Sequence, residues 1–198
     1  MPAAILIPVS PFEEGKSRLA PVLSDGQRAA LSQRFFRHVL DVAIGCVPAE
    51  HCLVISRSTA VLGLASRAGA QGILERQRGL NEALVQGTAV ARTQGATGLL
   101  VLSGDLPLLD KEELDAMLAL CADAPAVIAP DAGDTGTNAL WLSPPGLIPY
   151  AFGEGSFARH CAALEAAGEQ ATVFRRRGLM CDVDSPEDLE QIRSDGWE

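Results

Sequence analysis

The segment Leu99-Leu100-Val101-Leu102-Ser103-Gly104-Asp105-Leu106-Pro107 joins an uninterrupted apolar run to a glycine and a carboxylate. Four consecutive large apolar residues are typical of a strand that is buried on both faces of a sheet. Gly104 leaves room for a ligand beside the backbone, and Asp105 follows where the strand ends. Because open parallel sheets bind ligands beyond the carboxyl ends of their strands, this segment predicts both a fold class and a site.

Runs of the same kind recur along the chain, and between them lie stretches whose apolar residues repeat at helical spacing. The predicted strands are Ala3–Val9, Cys52–Ser56, Gly98–Leu102 and Ala126–Ala129. The predicted helices are Gln27–Ile44, Thr59–Ala68, Leu80–Arg92 and Asp110–Leu120. This alternation predicts an α/β fold in which helices cover both faces of a mainly parallel sheet.

The last third of the chain is richer in loops. Two predicted strands, Asn138–Leu142 and Ala171–Arg175, flank a glycine- and proline-rich loop and a helix over Ser156–Ala167. Some antiparallel pairing in a mixed sheet is therefore expected. An apolar segment, Leu179–Val183, leads to Ser185-Pro186, the N-cap and first position of a terminal helix. With 198 residues and no linker or repeat, the chain is expected to form one domain over residues 1–198.

Composition narrows the functional classes. The chain is 47% hydrophobic and 21% charged, which is typical of a globular protein. Its 16 Lys and Arg face 25 Asp and Glu, and the net charge of -9 argues against binding nucleic acid or a membrane through a cationic surface. A phosphorylated ligand would need metal ions as well as protein cations. The chain has neither a run of about 18 apolar residues nor a secretory signal, so a cytoplasmic location is expected.

Cysteine and histidine give no sign of a metal centre. The cysteines are odd in number, far apart and never in a Cys-x-x-Cys pair, which disfavours a disulfide framework and a thiolate zinc site. We expect them to be small buried residues; they are Cys46, Cys52, Cys121, Cys161 and Cys181. The three histidines are scattered, and His38 lies on the apolar face of its helix, as a hydrogen-bonded core or interface residue would.

The loop after the first strand contains closely spaced cations. Pro8 and Val9 end the strand, and Lys16 and Arg18 flank a serine further on, a grouping that suits a polyphosphate. The loop is neither a P-loop, since Gly-x4-Gly-Lys is absent, nor a dinucleotide-binding Gly-x-Gly-x-x-Gly turn. A solvated loop with two ordinary cations is the alternative interpretation.

Carboxylates follow two of the predicted extended segments. Asp105 stands where Mg²⁺ would lie between the protein and phosphate oxygens, and a structural turn aspartate is the alternative. Asp182 and Asp184 are two residues apart, so in an extended chain both point to one face and suit a shared divalent cation. The alternative is that Asp184 only prepares the helix that follows Ser185.

Segments rich in glycine and hydroxyl groups supply further candidates. Gly79 precedes a helix and would let backbone amides approach a ligand, while Asn81 or Gln77 would hydrogen-bond a base edge. Thr135–Asn138 and Phe152–Phe157 add hydroxyls and glycines, the second at a helix start whose amides would receive a phosphate or carboxylate. Capping and hairpin roles are the alternatives.

Eight short segments, spread over nearly the whole chain, form a recognisable set. They are Ile-Pro-Val at 7–9, Lys-Ser-Arg-Leu-Ala-Pro-Val-Leu-Ser at 16–24, Gly-Leu-Asn at 79–81, Asp-Leu-Pro-Leu-Leu at 105–109, Ala-Pro-Asp at 129–131, Gly-Thr-Asn-Ala-Leu at 136–140, Phe-Gly-Glu-Gly-Ser-Phe at 152–157 and Asp-Val-Asp-Ser-Pro-Glu-Asp-Leu at 182–189. Together and in this order they resemble the 2-phospho-L-lactate guanylyltransferase family, which makes the activated phospho-acid for coenzyme F-420, a deazaflavin.

The resemblance implies a nucleotidyltransferase fold of the glycosyltransferase-A type, a dimer, and use of GTP and Mg²⁺. It implies nucleotide contacts from Pro8, Val9, Lys16, Arg18, Gly79, Leu80, Asn81 and Gly104. Within that set Lys16 and Arg18 would hold the triphosphate, and the stretch 79–81 would face guanine. Lys16, Arg18 and Asp105 would be catalytic, and Asp105 with Asp182 or Asp184 would hold the metal. The phospho-acid would bind to Thr137, Asn138, Gly153 and Ser156.

The implied reaction is attack by a phosphate oxygen of the acid on the α-phosphorus of GTP, with release of pyrophosphate and without a protein nucleophile. The acid would be 2-phospho-L-lactate, phosphoenolpyruvate or 3-phospho-D-glycerate. The family often has lysine after Ile-Pro-Val, where this chain has Ser10, so a phosphate contact from that position is not expected. Two alternatives are a sugar or molybdopterin nucleotidyltransferase of the same fold, for which the glycine-rich opening loop is missing, and a module that senses GTP without turnover.

Overall fold

A seven-stranded sheet forms the centre of the computed structural model, which describes residues 3–194 and residue 197. The strands are β1 (Ala3–Pro8), β2 (Cys52–Ser56), β3 (Gln71–Leu74), β4 (Gly98–Leu102), β5 (Ala126–Pro130), β6 (Thr137–Leu142) and β7 (Thr172–Val173). Their order across the sheet is β3-β2-β1-β4-β6-β5-β7. Neighbouring strands are parallel except where β6 pairs with β4 and β5. The predicted mixed, mainly parallel sheet is confirmed.

Helices cover both faces of this sheet, as predicted. They are α1 (Asp25–Cys46), α2 (Thr59–Arg67), α3 (Leu80–Thr93), α4 (Lys111–Cys121), α5 (Ser156–Ala166), α6 (Arg177–Met180) and α7 (Pro186–Ser194). Alternate residues of β1 point to opposite layers: Ile5 and Ile7 pack in the cluster that includes α1, α2 and α4, and Ala4 and Leu6 pack with α3. The helix α5 packs on β5 and β6 through Leu164.

Side-chain caps fix where two of the predicted helices begin. Ser24 and Gln27 form a capping box at the start of α1, in which each side chain accepts a hydrogen bond from the other residue's backbone amide. At the start of α4, the Asp110 carboxylate accepts a hydrogen bond of 2.7 Å from the Glu113 amide. These local signals explain why the predicted helix ends are close to those in the structure.

The structure departs from the sequence-based elements in three places. The edge strand β3 was not predicted, because Ile73 is its one buried residue and the run is too short to show a period. The strand β7 covers two residues of the predicted 171–175, since the arginines that follow Phe174 leave the sheet. Leu179, in the apolar segment 179–183, belongs to the short helix α6, and residues 181–184 form no regular element.

The sheet brings several chain segments to one edge. The strands β1, β2, β3 and β4 are parallel, so the loops that leave them lie at the same edge. Because β6 runs the opposite way beside β4, its first residues reach that edge too, and the Ser103 amide donates to the Asn138 carbonyl at 2.8 Å. The residues predicted to carry chemistry are thus concentrated at one end of the sheet.

The cysteine and histidine expectations are partly confirmed. Cys52 and Cys121 are buried, and burial raises the pKa of each thiol to about 12. Cys46, Cys161 and Cys181 are partly exposed, which the expectation of burial did not anticipate. The ring of His38 is hydrogen-bonded as predicted, with Nε2 at 2.7 Å from the Leu109 carbonyl oxygen. Among the helices in the described part of the chain, none combines the length and apolarity needed to cross a membrane.

Candidate active site

Two adjoining cavities open at the loop-bearing edge of the sheet. The first, of about 510 Å³, lies over the loops that follow β1, β2, β3 and β4. The second, of about 540 Å³, lies between those loops and the segments around residues 135–138 and 152–156. The two cavities share four lining residues, which are Pro8, Leu80, Ser103 and Asp184. Ligands in the two cavities would therefore meet at a common wall.

Most of the predicted nucleotide-binding residues line the first cavity. They are Pro8, Val9, Lys16, Gly79, Leu80 and Gly104, and the predicted catalytic Asp105 lies beside them. A Cβ added to Gly104 would meet Val9 Cγ2 at 3.4 Å, which is an ordinary contact. The fold itself therefore tolerates a larger residue there, and the space that Gly104 leaves open belongs to the cavity. Ser10 also lines this cavity, where the family often has a lysine.

The residues predicted to bind the phospho-acid line the second cavity. Thr137, Asn138, Gly153 and Ser156 are all present there, and Gly153 has φ of 120°, which favours glycine. Arg18 lines this cavity, not the first, and its side chain is 79% exposed. The structure therefore places the cation of Arg18 nearer to the predicted acid site than the sequence-based interpretation expected.

Lys16 is held between carboxylates that are distant in sequence. Its Nζ contacts the Asp105 carboxylate and lies 3.2 Å from Asp184 Oδ1, and its side chain is 6% exposed. The backbone of Lys16 is left-handed, with φ of 56° and ψ of 36°, which is strained for a residue other than glycine. Burial opposes the charge, but the negative charges of Asp105 and Asp184 outweigh it and raise the pKa of Lys16. The two carboxylates thus favour the charged form of Lys16 inside the site.

The same ion pair favours the ionised form of Asp105. Burial alone would raise the pKa of Asp105, but the Lys16 charge and hydrogen bonds from Lys16 and Ser103 lower it. The Ser103 hydroxyl donates to Asp105 Oδ1 at 2.5 Å. The carboxylate is therefore fixed in place by two neighbours.

Asp182 and Asp184 differ in their surroundings. Asp184 Oδ2 lies 3.8 Å from an Arg18 guanidinium nitrogen, in addition to its contact with Lys16. Asp182 accepts a hydrogen bond of 3.2 Å from the neutral amide of Asn138. Burial, followed by the negative charge of Asp105, raises the pKa of Asp182 to about 6. An excess of negative charge therefore remains where Asp182 faces Asp105.

This donor set suits a cation that completes its coordination with ligand oxygens. In the described ranges, 3–194 and 197, three or more His, Cys, Asp or Glu side chains nowhere converge as a ready-made metal site. Mg²⁺ usually takes one or two carboxylates together with substrate phosphates and water, not an all-protein cage. Hard carboxylate oxygens at the wall between the cavities, with uncompensated negative charge, fit that mode of binding.

A buried hydrogen-bonded trio lies beneath the second cavity. His160 Nδ1 is 3.1 Å from Thr137 Oγ1, and the Ser156 hydroxyl donates to the same oxygen at 3.1 Å. The other ring nitrogen of His160, Nε2, accepts a hydrogen bond of 3.0 Å from the Ala151 amide. His160 was not a candidate from sequence, because a lone histidine on a helix gives no signal of its contacts.

The start of α5 is less open to anions than expected. The Ser156 amide donates to the Gly153 carbonyl at 3.0 Å, and the Phe157 amide donates to the Thr135 carbonyl at 3.2 Å. Both amides therefore already have acceptors, and the expectation that they receive a phosphate or carboxylate is wrong for these two. The Ser156 side chain at the start of α5 and the Thr137 side chain of β6 both line the cavity.

Asn81 has structural partners. Its carbonyl oxygen accepts a hydrogen bond of 2.9 Å from the Phe152 amide, and its side-chain amide donates to the Phe152 carbonyl at 3.3 Å. These bonds tie the start of α3 to the loop that forms the second cavity. Asn81 does not line either cavity within the described part of the chain, so its contact with the base stays a prediction.

An ion pair that the sequence did not reveal lines the first cavity. Arg57 follows β2, Glu75 follows β3, and an Arg57 nitrogen lies 3.3 Å from Glu75 Oε2. The Glu75 side chain is 8% exposed, and Arg57 also contacts Glu14. Within the described residues, the buried Nε of Arg57 has no hydrogen-bond acceptor. This pair was missed because β3 itself was not predicted.

Comparison with solved structures supports the nucleotidyltransferase type of fold. A Desulfovibrio desulfuricans G20 protein described as a nucleotide-diphospho-sugar transferase has a TM-score of 0.73 at 17% identity, over 97% of this chain and 87% of that one. A manganese complex of a Mycobacterium tuberculosis H37Rv protein, Rv0371C, has a TM-score of 0.64 at 16% identity, over 97% of this chain and 98% of that one.

Sequence comparison is more specific. The phosphoenolpyruvate guanylyltransferase of Rubrobacter xylanophilus is 40% identical over 96% of this chain and 93% of its own length. The 3-phospho-D-glycerate guanylyltransferase of Colwellia psychrerythraea is 30% identical over 95% of this chain and 90% of its own length. Residues 3–197 match the family described as guanylyl transferase CofC like. The chain therefore belongs to the CofC-like guanylyl transferase family.

Proposed function

We propose that this protein transfers GMP from GTP to a small phosphorylated carboxylic acid and releases pyrophosphate. The observation that carries the proposal is the pair of adjoining cavities with Ser103 and Asp184 in their common wall and Asp105 beside it. One cavity is lined by most of the predicted nucleotide-binding residues and the other by the predicted acid-binding residues. A transfer reaction needs two substrates whose reacting atoms meet, and this arrangement provides it.

Within the first cavity, Lys16 marks the phosphate end. Its charge is fixed close to Asp105, at the wall where the second substrate would arrive. The triphosphate would replace part of the carboxylate contact of Lys16, because phosphate oxygens are strong acceptors for an ammonium group. Arg18 reaches the acid side of the wall and would balance the charge of the incoming phosphate.

The base end of the first cavity is at Arg57 and Glu75. These residues follow β2 and β3, whereas Asp105 follows β4, and β3 and β4 are three strand spacings apart. At about 4.8 Å for each spacing, the two ends are roughly 14 Å apart, which allows room for a nucleoside between base and phosphate contacts. Guanine presents O6 as an acceptor and a 2-amino group as a donor, so Arg57 and Glu75 match its edge.

Mg²⁺ would be held by Asp105 and by Asp182 or Asp184. Asp182 is the stronger second candidate, because Lys16 and Arg18 already balance Asp184, whereas the partner of Asp182 is the neutral Asn138 amide. The relative from Mycobacterium tuberculosis, which shares the fold, is a complex with manganese. Bound metal would neutralise phosphate charge and make the α-phosphorus more electrophilic.

The chemistry requires no protein nucleophile or base. A phosphate oxygen of the acid attacks the α-phosphorus of GTP, the new P–O bond forms, and the bond to the β-phosphate oxygen breaks with release of pyrophosphate. The second pKa of a phosphomonoester is about 6, so the attacking group is largely ionised at neutral pH. What the protein residues contribute is alignment of the two substrates and compensation of their charge by Lys16 and Arg18.

Phosphoenolpyruvate is the acceptor that we propose first. The relative at 40% identity is named a phosphoenolpyruvate guanylyltransferase, and the one named for 3-phospho-D-glycerate is 30% identical. The product would be the activated phospho-acid of coenzyme F-420 biosynthesis, as the sequence resemblance implies. Dimerisation and a cytoplasmic location stay predictions from sequence.

One assay separates this proposal from the alternatives. The purified protein is incubated with GTP, Mg²⁺ and each of phosphoenolpyruvate, 3-phospho-D-glycerate and 2-phospho-L-lactate, and pyrophosphate release is followed. We expect release that depends on one of the acids and that falls when ATP or CTP replaces GTP. GTP binding without release with any acid would contradict the proposal and favour a GTP-sensing module. Release with a sugar phosphate or molybdopterin in place of the acids would favour the other nucleotidyltransferases of this fold.

A further inference from the structure

The trio of Thr137, Ser156 and His160 is buried beneath the second cavity. Thr137 is 8% exposed, Ser156 is 1% exposed and His160 is fully buried. The two hydroxyl residues line the cavity, whereas the histidine lies behind them on α5. A buried polar group needs hydrogen-bond partners, so the positions of the hydrogens in this trio can be worked out from its contacts.

The contact with Ala151 fixes the tautomer of His160. A backbone amide is always a donor, so His160 Nε2, at 3.0 Å from the Ala151 nitrogen, accepts and carries no hydrogen. In a neutral imidazole the other nitrogen is then protonated, and Nδ1–H donates to Thr137 Oγ1 at 3.1 Å. A protonated ring would instead set two N–H groups against each other. Burial, followed by the nearby positive charge of Arg159, lowers the pKa of His160 to about 4, which agrees with a neutral ring.

Thr137 Oγ1 therefore accepts two hydrogen bonds. One comes from His160, and the other comes from the Ser156 hydroxyl at 3.1 Å. A hydroxyl oxygen has two lone pairs, so both are used and the hydroxyl hydrogen of Thr137 remains to be donated. With the opposite histidine tautomer, Nδ1 would accept that hydrogen, and neither hydroxyl would have one left for a ligand.

We propose that His160 is a positioning residue that holds the Thr137 hydroxyl as a hydrogen-bond donor directed into the second cavity, toward an anionic oxygen of the acceptor. This inference rests on the proposed function, because it assumes that the acid binds in this cavity. It adds to that function by stating which group donates the hydrogen bond: the Thr137 hydroxyl donates and the acid accepts. At this contact, the Thr137 hydroxyl favours a ligand oxygen that carries no hydrogen, such as a carboxylate or phosphate oxygen, over a hydroxyl that needs an acceptor.

A purely structural role for His160 is the competing explanation. The ring also packs edge-on against Phe152, with centroids 4.8 Å apart, and links α5 to the loop around Ala151. In that case, loss of the ring would loosen the cavity as a whole and would act independently of the Thr137 hydroxyl. Two measurements are therefore needed. One identifies the tautomer of His160 directly, and the other tests whether the effect of replacing His160 depends on the Thr137 hydroxyl.

The first measurement needs no substrate. Long-range ¹H–¹⁵N NMR spectra of the histidine-labelled protein at pH 7.5 distinguish the two neutral tautomers, and His160→Gln assigns the signal among the three histidines. We expect His160 to show the Nδ1-protonated pattern. The Nε2-protonated pattern, or a charged ring at this pH, would overturn the inference even if guanylyl transfer is observed.

The second measurement is a double-mutant cycle read as KM for phosphoenolpyruvate and KM for GTP. We expect Thr137→Val and His160→Leu each to raise KM for the acid by about 10-fold or more, the scale of a lost hydrogen bond to a charged group, and to leave KM for GTP unchanged. In the Thr137→Val background, His160→Leu should add less than about 2-fold. Multiplicative effects of the two substitutions in folded variants would show a merely structural role and overturn the inference.

Two further variants complete the design. His160→Gln offers an amide donor to Thr137 and a carbonyl acceptor to Ala151, so KM for the acid should stay within about 3-fold of the wild-type value. His51→Gln is the matched control, because His51 ends the short helix before β2, at the other edge of the sheet from the cavities. If the wild-type protein transfers GMP to none of the acids, the proposed function is wrong. The NMR spectra test the tautomer of His160 independently of that result.

Discussion

The buried neutral ring of His160 predicts a specific pH dependence of stability. The pKa of His160 is lowered to about 4 in the folded protein, whereas an unfolded histidine titrates near about 6.5. The unfolded chain therefore binds more protons than the folded chain between these values, and the free energy of unfolding must fall as the pH falls through this window. A difference of about 2.5 in pKa corresponds to about 3 kcal/mol once the pH is below both values.

The measurement is best made at pH 7.5 and pH 5.5, since both lie above the isoelectric point of about 4.8. The contribution of His160 is close to zero at pH 7.5, and at pH 5.5 it destabilises the folded protein by about 1.4 kcal/mol. Asp182 also titrates between these two pH values. Asp182 acts in the opposite direction, because a folded-state pKa raised to about 6 makes the folded chain bind more protons.

His160→Gln isolates the histidine contribution, since the variant keeps Asp182 and every other titrating group. Urea unfolding of both proteins at each pH gives four free energies. We expect the wild type to lose about 1.4 kcal/mol more than His160→Gln between pH 7.5 and pH 5.5. Equal losses in the two proteins, or a larger loss in the variant, would refute the assignment of a neutral buried ring.

Four other predictions concern the active site. Asp105→Asn should fold normally and lower turnover by at least about 100-fold, because it removes the charge that balances Lys16 and that would bind metal; near-normal transfer by the folded variant would contradict the metal assignment. Glu75→Gln should reduce the preference for GTP over inosine triphosphate, which lacks the 2-amino group, by about 10-fold; an unchanged ratio of kcat/KM values would place the base elsewhere. EDTA should abolish pyrophosphate release, and added Mg²⁺ or Mn²⁺ should restore it, whereas chelator-resistant activity would argue against any metal at the carboxylates. Gly104→Ala should raise KM for GTP by about 10-fold while the melting temperature stays within a few degrees, since its Cβ meets Val9 at an ordinary distance; a large loss of stability would show that the glycine serves the fold instead.

The central strands and their loops could be predicted because their information is local. Four large apolar residues before Ser103-Gly104-Asp105 indicate a buried strand and the position of its end within the segment itself. The same holds for α1, where Ser24 and Gln27 provide both halves of the capping box three residues apart. Where strand, cap and loop residues are neighbours in sequence, the structure confirms the prediction.

Residues whose role depends on distant partners were not predictable in this way. Arg57 and Glu75 are 18 residues apart and meet because β2 and β3 are adjacent. His160 acquires its tautomer from the backbone of Ala151 and its function from Thr137, and neither contact leaves a pattern in the sequence. Leu179 lies in a four-residue helix, which is too short to show a helical period in the sequence.

The wall that the two cavities share also bears on how the reaction ends. In the proposed reaction, the guanosine and acid halves arrive as separate molecules but leave as one, and that molecule spans the wall formed by Pro8, Leu80, Ser103 and Asp184. Each half, while bound, keeps the other at a high effective concentration, so both sets of contacts must break before the product escapes. We therefore expect the joined molecule to leave more slowly than either half would alone, and a stable mimic of it to bind more tightly than either half.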